Sequence, residues 1–230
     1  MTDRSERAKV GRPRVDQRPR DREPAEEILH HAARLFTVNG FEATTTRGIA
    51  EAAGLRQGSL FHYFPRKDDI LIELLDRTVG PGIDAVEFID NLDVDAGVRL
   101  YALAWRDVHN ICSGPYNLAG LSLLPHARQP QFSAYWEKRD DLRASYLRYL
   151  EEGRREKLFS YLTRDASVTL DLVFGVVEAP IVWFERGRHR QDVVATMTAR
   201  TAVLSVLADP SHVDEVASRA RAIPGLIDVG

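Results

Sequence analysis

The sequence predicts an all-α protein. Apolar residues recur at intervals of three and four along most of the 230-residue chain, the spacing that gives a helix one apolar face. Glycine and proline separate these periodic segments, and the alternating pattern typical of strands is scarce. Apolar residues make up 44% and charged residues 28% of the chain, a balance that allows a globular core of useful size.

The first 23 residues form a segment of different character. They contain eight basic and five acidic residues and lack apolar periodicity, so we expect a flexible basic arm. Within it, Gly11-Arg12-Pro13-Arg14 resembles the core of an AT-hook, which lays arginine side chains into a narrow A·T minor groove. A solvated tail that adds only solubility is an equally good interpretation of this composition.

Residues 24–79 are predicted to hold three helices, at 24–39, about 47–53 and about 57–63, and the start of a fourth near 66. Gly40 suits the left-handed position that ends a helix, and Thr44 or Thr45 can cap the second helix. Gly54 permits a sharp turn between the second and third helices, and Pro65 stops the third. Two short helices joined in this way are a helix-turn-helix.

The third of these helices carries groups that can enter the major groove of DNA. Gln57 can pair with adenine through two hydrogen bonds, and Ser59 and Tyr63 can reach phosphates or base edges. The second helix offers free N–H groups and a positive dipole end to a phosphate. The candidate DNA contacts are Thr44, Thr45, Arg47, Arg56, Gln57, Gly58, Ser59, His62, Tyr63 and Lys67.

The run GFEATTTRGIAEAAGL at 40–55, followed by GSLFHYF at 58–64 and Lys67, resembles the signature of the tetracycline-repressor (TetR) family. The resemblance covers about residues 25–77. It implies a homodimer whose subunits each have a three-helix DNA-binding head and a larger helical body that binds a small molecule. Arg56 departs from the serine or threonine cap usual there, and Phe61 replaces a common tyrosine, which obscures the operator sequence.

The remainder is predicted to be helical at about 95–112, 116–127, 131–160, 165–186, 190–208 and 211–222. Gly80-Pro81-Gly82 can form a hinge or kink, so we divide the chain there. The arm is then 1–23, the helix-turn-helix DNA-binding domain 24–79, and the helical ligand-binding and dimerisation domain 80–230. The helices near 165–186 and 190–208 form an antiparallel pair that can build a four-helix dimer interface, and Pro180 should bend the first of them.

Five residues of the body are candidate ligand contacts: Trp105, His109, Tyr146, Phe174 and Glu178. Aromatic side chains with a few polar groups are what a small-molecule pocket needs, although the same spacing is also typical of ordinary core packing. Glu178 lies in an apolar helix, where an unpaired charge is costly. It can bind a cationic or hydroxylated ligand, pair with an arginine, or lie at the dimer interface.

The sequence gives little support to an enzyme. We find no catalytic motif, no convincing set of metal ligands and no cofactor fingerprint. With one cysteine, Cys112, no apolar leader and no obvious membrane span, we expect a cytoplasmic protein. The predicted function is a transcription repressor released from a palindromic double-stranded DNA operator by an unknown small-molecule effector. The alternative is a helical small-molecule-binding protein or enzyme with a vestigial DNA-binding head.

Deletion of residues 1–22 tests the role of the basic arm. Residues 24–80 contain six basic and eight acidic residues, so the head alone is poorly charged for contact with phosphates. We expect the truncated protein to bind DNA more weakly and with a smaller dependence of log K on log salt concentration, measured by fluorescence anisotropy titrations. An unchanged affinity and slope would show that the arm does not contact DNA.

Overall fold

A computed structural model of the chain describes residues 23–160 and 165–227. Within these ranges the fold is helical, and β-structure is limited to two isolated bridges. The α-helices are α1 (Pro24–Asn39), α2 (Thr46–Ala52), α3 (Gln57–Tyr63), α4 (Lys67–Asp90), α5 (Ala96–Ser113), α6 (Ser133–Arg155), α7 (Ala166–Glu178), α8 (Pro180–Trp183), α9 (Gln191–Leu204) and α10 (Val213–Arg221). The basic arm falls outside the described residues apart from Glu23.

The head is built from α1, α2, α3 and the first turns of α4, and its predicted helices are confirmed to within a residue. Thr45 is the cap of α2, where its hydroxyl accepts a hydrogen bond from the Gly48 N–H at 3.0 Å. Gly40 and Gly54 have φ angles of +83° and +65°, a region that glycine adopts without a steric penalty. Leu60 on α3 is fully buried and joins the core formed by the apolar faces of α1 and α2.

Helix α4 runs without interruption from the head into the body. It passes through residues 80–82, so the boundary that we placed before Gly80 lies inside a helix. Pro81 removes a backbone donor from this turn, and Asn110 on α5 donates its side-chain N–H to the nearby Thr78 carbonyl at 2.9 Å. A Cβ atom at Gly82 would lie 3.1 Å from Leu142, so glycine at this position permits close packing of α4 on α6.

Helix α5 forms the centre of the body and packs against α4, α6, α9 and α10. Twelve of its eighteen residues are buried, which is far more than one face of a helix. Such a helix has no solvent-facing side to fix its orientation in the sequence pattern. Its neighbours therefore decide which of its side chains meet a cavity and which meet another helix.

The prediction of an α-helix at 116–127 is wrong. The structure has three 3₁₀ turns here, Ala119–Leu123, Pro125–Arg128 and Pro130–Phe132. Pro125 and Pro130 each lack the N–H that an α-helix interior needs and each begins a new turn. We refer to residues 119–132 as the turn segment.

Three further helices are shorter than predicted. The helix expected at 131–160 ends at Arg155, because Lys157 adopts a φ of 60° and Phe159 folds back onto Gly153. The helix expected at 165–186 is divided into α7 and α8 at Pro180, which confirms the predicted effect of this proline. Helix α9 ends at Leu204 rather than near residue 208.

The apolar segment Ala166–Trp183 is long enough and apolar enough to cross a membrane by length and composition alone. The core helix of a globular protein meets the same two criteria. The break at Pro180 divides the segment into two helices. Only 39% of the segment is buried, so much of its apolar surface has no partner within the described part of the chain.

Candidate nucleic-acid interface and body cavity

Helix α3 presents almost its whole surface to solvent. Leu60 is the one buried residue among its seven. The exposed positions are Gln57, Gly58, Ser59, Phe61, His62 and Tyr63. Since two of these side chains are aromatic rings more than 40% exposed, α3 combines apolar and hydrogen-bonding groups on a surface free for contact with another molecule.

The candidate contacts at the start of α2 differ in exposure. Thr45 and Arg47 are exposed, but Thr44 is buried. The hydroxyl of Thr44 donates to the Gly40 carbonyl at 2.8 Å and so holds the loop between α1 and α2 in shape. The side chain of Thr44 therefore supports the interface from inside the loop.

Lys67 also makes its contacts within the head. Its Nζ donates to the carbonyls of Phe41 and Thr44 at 2.7 and 2.9 Å, and it lies 4.1 Å from the centre of the Phe41 ring. The ammonium group thus ties the first turn of α4 to the loop that precedes α2. An ammonium group has three N–H donors, and these two carbonyls take two of them.

The cations of the interface are partly neutralised by neighbouring acids. Arg47 Nε lies 2.9 Å from Glu51 Oε1, and Arg66 pairs with Asp69, which also accepts from the Arg66 backbone N–H. Gln57 donates to the Thr46 hydroxyl at 3.1 Å, which fixes the start of α3 against α2. Arg56 is exposed and its side chain makes no cap bond to α3.

The body contains a cavity of about 30 Å³ between α4, α5, α6, α7, α8 and the turn segment. Its lining residues are Thr78, Val79, Asp107, Ile111, Ala119, Ser122, Tyr135, Arg139, Leu142, Phe174, Glu178 and Ile181. Three of these, one guanidinium and two carboxyl groups, are ionisable groups of the kind that is rarely buried without a partner. The cavity is therefore a polar site at the edge of the core, where Asp107 is buried and Arg139 and Glu178 are half-buried.

Asp107 is the most deeply buried carboxyl group of this cavity. Its Oδ2 accepts a hydrogen bond from the Tyr146 hydroxyl at 3.2 Å. Burial raises the pKa of Asp107 to about 7, the negative charge of Glu178 adds to the increase, and Tyr146 and Arg139 oppose it. Near neutral pH this carboxyl group can therefore exist with or without its proton.

Glu178 forms an ion pair with Arg139 across the cavity, which is one of the three roles foreseen for this glutamate. The Arg139 guanidinium also lies 5.4 Å from the centre of the Phe174 ring. A carboxylate and an aromatic face together stabilise a cation. Arg139 is thus held by the same groups that a positively charged ligand would use.

Only some of the predicted ligand contacts lie at the cavity. Phe174 and Glu178 line the cavity, and Tyr146 lies behind it through Asp107. Trp105 and His109 lie on the side of α5 that faces α9, stacked with their ring centres 4.6 Å apart. There Trp105 Nε1 donates to the Thr196 hydroxyl at 3.2 Å and His109 Nε2 lies 3.1 Å from Gln191, outside the cavity lining.

Comparison with known proteins shows which family this chain resembles. The family model of bacterial regulatory proteins of the tetR family matches residues 28–74, which include α2, α3 and the first part of α4. The solved structure of AmtR from Mycobacterium smegmatis is 30% identical and superposes with a TM-score of 0.72 over 90% of this chain and 99% of that one. The chain belongs to the TetR family.

Two curated relatives agree with this assignment. The HTH-type transcriptional repressor KstR2 of Mycobacterium tuberculosis is 29% identical over 70% of this chain and 81% of its own length. The fatty acid metabolism regulator protein of Bacillus subtilis is 25% identical over 81% of this chain and 94% of its own length. The protein is accordingly a transcription regulator with an N-terminal DNA-binding helix-turn-helix.

This TetR-family chain has a direct contact between the turn segment and the head, which the sequence did not reveal. His126 Nε2 lies 2.8 Å from Asp68 Oδ1, and its ring lies over Phe41 with the centres 4.3 Å apart. Ala119 and Ser122, in the same segment, line the cavity. One short stretch of chain therefore touches both the cavity and the loop that orients α2.

Asp107→Asn tests the buried carboxyl group. Aspartate in an unfolded chain titrates near ~3.9, so between about pH 4 and pH 7 the folded protein keeps a proton that the unfolded chain releases. The free energy of unfolding of the natural chain then falls as pH rises through this window. Asparagine does not titrate, so D107N does not undergo this fall. We expect the stability of D107N relative to the natural chain to be larger at pH 8 than at pH 5 by on the order of 2 kcal/mol, measured by urea unfolding.

Asp90→Asn provides a matched control of opposite sign. Burial tends to raise the pKa of Asp90, but hydrogen bonds from Arg148 and Tyr149 outweigh it, and the net pKa lies below the ordinary value. The stability that Asp90 contributes is present above the unfolded pKa and is lost as pH falls, so D90N should lose more stability at high pH than at low pH. Parallel pH profiles for D107N and the natural chain would contradict the assignment for Asp107.

Proposed function

We propose that the protein is a homodimeric, cytoplasmic repressor that leaves a palindromic DNA operator when a small molecule binds in its body. The observation that carries this proposal is the exposed surface of α3, which lies on a helix-turn-helix and has a single residue in the core. The name of one relative, a transcriptional repressor, supports the sign of regulation. Under this proposal the protein needs neither a catalytic residue nor a cofactor.

We infer that α3 lies in the major groove and that the start of α2 meets the phosphate backbone. Gln57, Ser59 and His62 are the side chains with the hydrogen-bonding groups suited to base edges. Thr45, Arg47 and Arg56 are exposed near the groove edge and suit phosphates. Because the partial pairing of these arginines with acids limits their attraction for DNA, the basic arm is the natural source of further positive charge.

We infer a dimer interface from α7, α8 and α9. Seven of the twelve most exposed large apolar side chains in the described residues lie on these helices: Val168, Leu172, Val182, Trp183, Val193, Met197 and Leu204. A contiguous apolar face of this kind marks an interaction surface. A twofold axis through it would bring two copies of α3 to successive major grooves about 34 Å apart.

We propose that the cavity is the effector site and that the turn segment carries its signal. Ala119 and Ser122 border the cavity, and His126 contacts Asp68 and Phe41 in the head. An effector that displaces the turn segment would therefore alter the support of the loop before α2. By linkage, DNA and effector then weaken each other's binding by the same factor.

Ser59→Glu tests the DNA-binding face. Glutamate in the first turn of α3 is favourable for the helix, but it places a negative charge where the proposal puts the groove. We expect binding to DNA flanking the protein's own coding region to weaken by about 100-fold or more, measured by anisotropy at low salt. Ser211→Glu adds the same charge at an exposed site outside the head and should have little effect.

A DNA-binding measurement on the natural chain distinguishes this function from its alternative. A folded dimer that shows no shift of any flanking DNA at low salt would favour the helical binding protein or enzyme with a vestigial head. Equal weakening by both glutamate substitutions would instead remove α3 as the reading helix.

Leu172→Glu tests the dimer interface. Leu172 is 66% exposed in one chain, so glutamate should leave the fold intact, yet the twofold axis would bury two unpaired charges in the dimer. We expect the dimer dissociation constant to rise by about 100-fold or more, measured by sedimentation velocity. Val38→Glu, at an equally exposed apolar position of the head, should stay dimeric, and a dimeric L172E would contradict the interface.

A further inference from the structure

The cavity carries an uneven set of charges. Asp107 and Glu178 contribute two carboxyl groups, and Arg139 is the one basic residue of the lining. Arg139 is paired with Glu178, whereas Asp107 has a hydrogen bond only from the neutral Tyr146 hydroxyl. A carboxylate at Asp107 would therefore lie within a cavity without a cation of its own.

The geometry leaves part of Asp107 available to a ligand. Its Oδ2 accepts the Tyr146 hydrogen bond, and its Oδ1 has no hydrogen bond from the residues that the structure describes. Asp107 borders the cavity together with the hydroxyl groups of Thr78, Ser122 and Tyr135. Asp107 Oδ1 is not among the fully buried polar atoms of the described residues that lack a partner, so a hydrogen-bond donor placed in the cavity can reach it.

The aromatic lining favours a ligand with a positive charge. The guanidinium of Arg139 lies 5.4 Å from the centre of the Phe174 ring, and that of Arg143 lies 5.0 Å from it. The ring thus already serves as a surface for cations. Carboxylates beside an aromatic face attract cations and repel carboxylate ligands.

We propose that the effector carries a protonated amine or an amidinium group that binds Asp107 and Glu178 in this cavity. The inference rests on the proposed function for the identity of the cavity as the effector site. The positive group donates to Asp107 Oδ1 and competes with Arg139 for Glu178. A monocation also brings the two carboxylates and Arg139 to a net charge of zero, which lowers the cost of burying them together.

A thermal-shift comparison at pH 8 tests the class of ligand. The probes are n-butylammonium and benzamidinium, each compared with a neutral molecule of similar shape, n-butanol and benzamide, and with the anions butyrate and benzoate. We expect the two cations to raise the melting temperature in a saturable manner, since a ligand that binds only the folded state stabilises it by mass action. The neutral molecules should give no comparable shift.

Two substitutions test the residues. In D107N the apparent affinity for both cations should fall by about tenfold or more, because the charge partner is lost. In Glu178→Gln the cations should also weaken, while the unpaired Arg139 should make butyrate and benzoate bind better than they do in the natural chain. Asp90→Asn is the matched control, since Asp90 also accepts a tyrosine hydroxyl at 2.6 Å but lies outside the cavity lining, and its cation response should be unchanged.

The proposal is overturned if no cation stabilises the protein more than its neutral counterpart, if the anions stabilise it instead, or if D107N responds like D90N. The melting measurement needs no DNA, so it separates this proposal from the repressor function. A chain that binds the cations and no operator DNA would contradict the proposed function and leave the cation site intact. A chain that binds operator DNA and no cation would contradict the cation site and leave the proposed function intact.

Discussion

Helix α4 joins the head to the body as one uninterrupted helix. Its first turn carries Lys67 and Asp68, which contact the loop before α2 and the turn segment. Its middle carries Thr78 and Val79, which line the cavity. These four residues belong to one helix, so the cavity wall and the head are connected by backbone that is hydrogen-bonded from turn to turn.

Most of the head could be predicted from the sequence, because its signals are local. The cap at Thr45 and the left-handed glycines at Gly40 and Gly54 act within four residues of the helix ends that they define. The turn segment was misjudged because apolar spacing alone does not distinguish an α-helix from successive 3₁₀ turns. Pro125 was the available signal, since an α-helix rarely passes through a proline.

The cavity could be predicted only in part, because its members meet across long stretches of chain. Arg139 and Glu178 are 39 residues apart, and no pattern in the sequence pairs them. Asp107 did give a signal, as a carboxyl group within the apolar stripe of a buried helix. Trp105 and His109 share α5 with Asp107, and only the packing of α9 shows that they face another way.

The small volume of the cavity has a consequence for regulation. The cavity is partly open and its volume of about 30 Å³ holds about two water molecules, so an organic ligand bound there would either enlarge it or extend beyond its mouth. The walls contributed by α4, α5 and α6 are packed helices, and Gly82 has no room even for an added Cβ without crowding Leu142. The other walls are α7, α8 and the turn segment, and of these the turn segment alone lacks α-helical hydrogen bonding. Expansion at that wall would move the backbone that carries His126, so an effector large enough to fill the site would also act on the contact with Asp68 and Phe41. A ligand that bound the resting and the displaced arrangements of the turn segment equally well would give the head no signal.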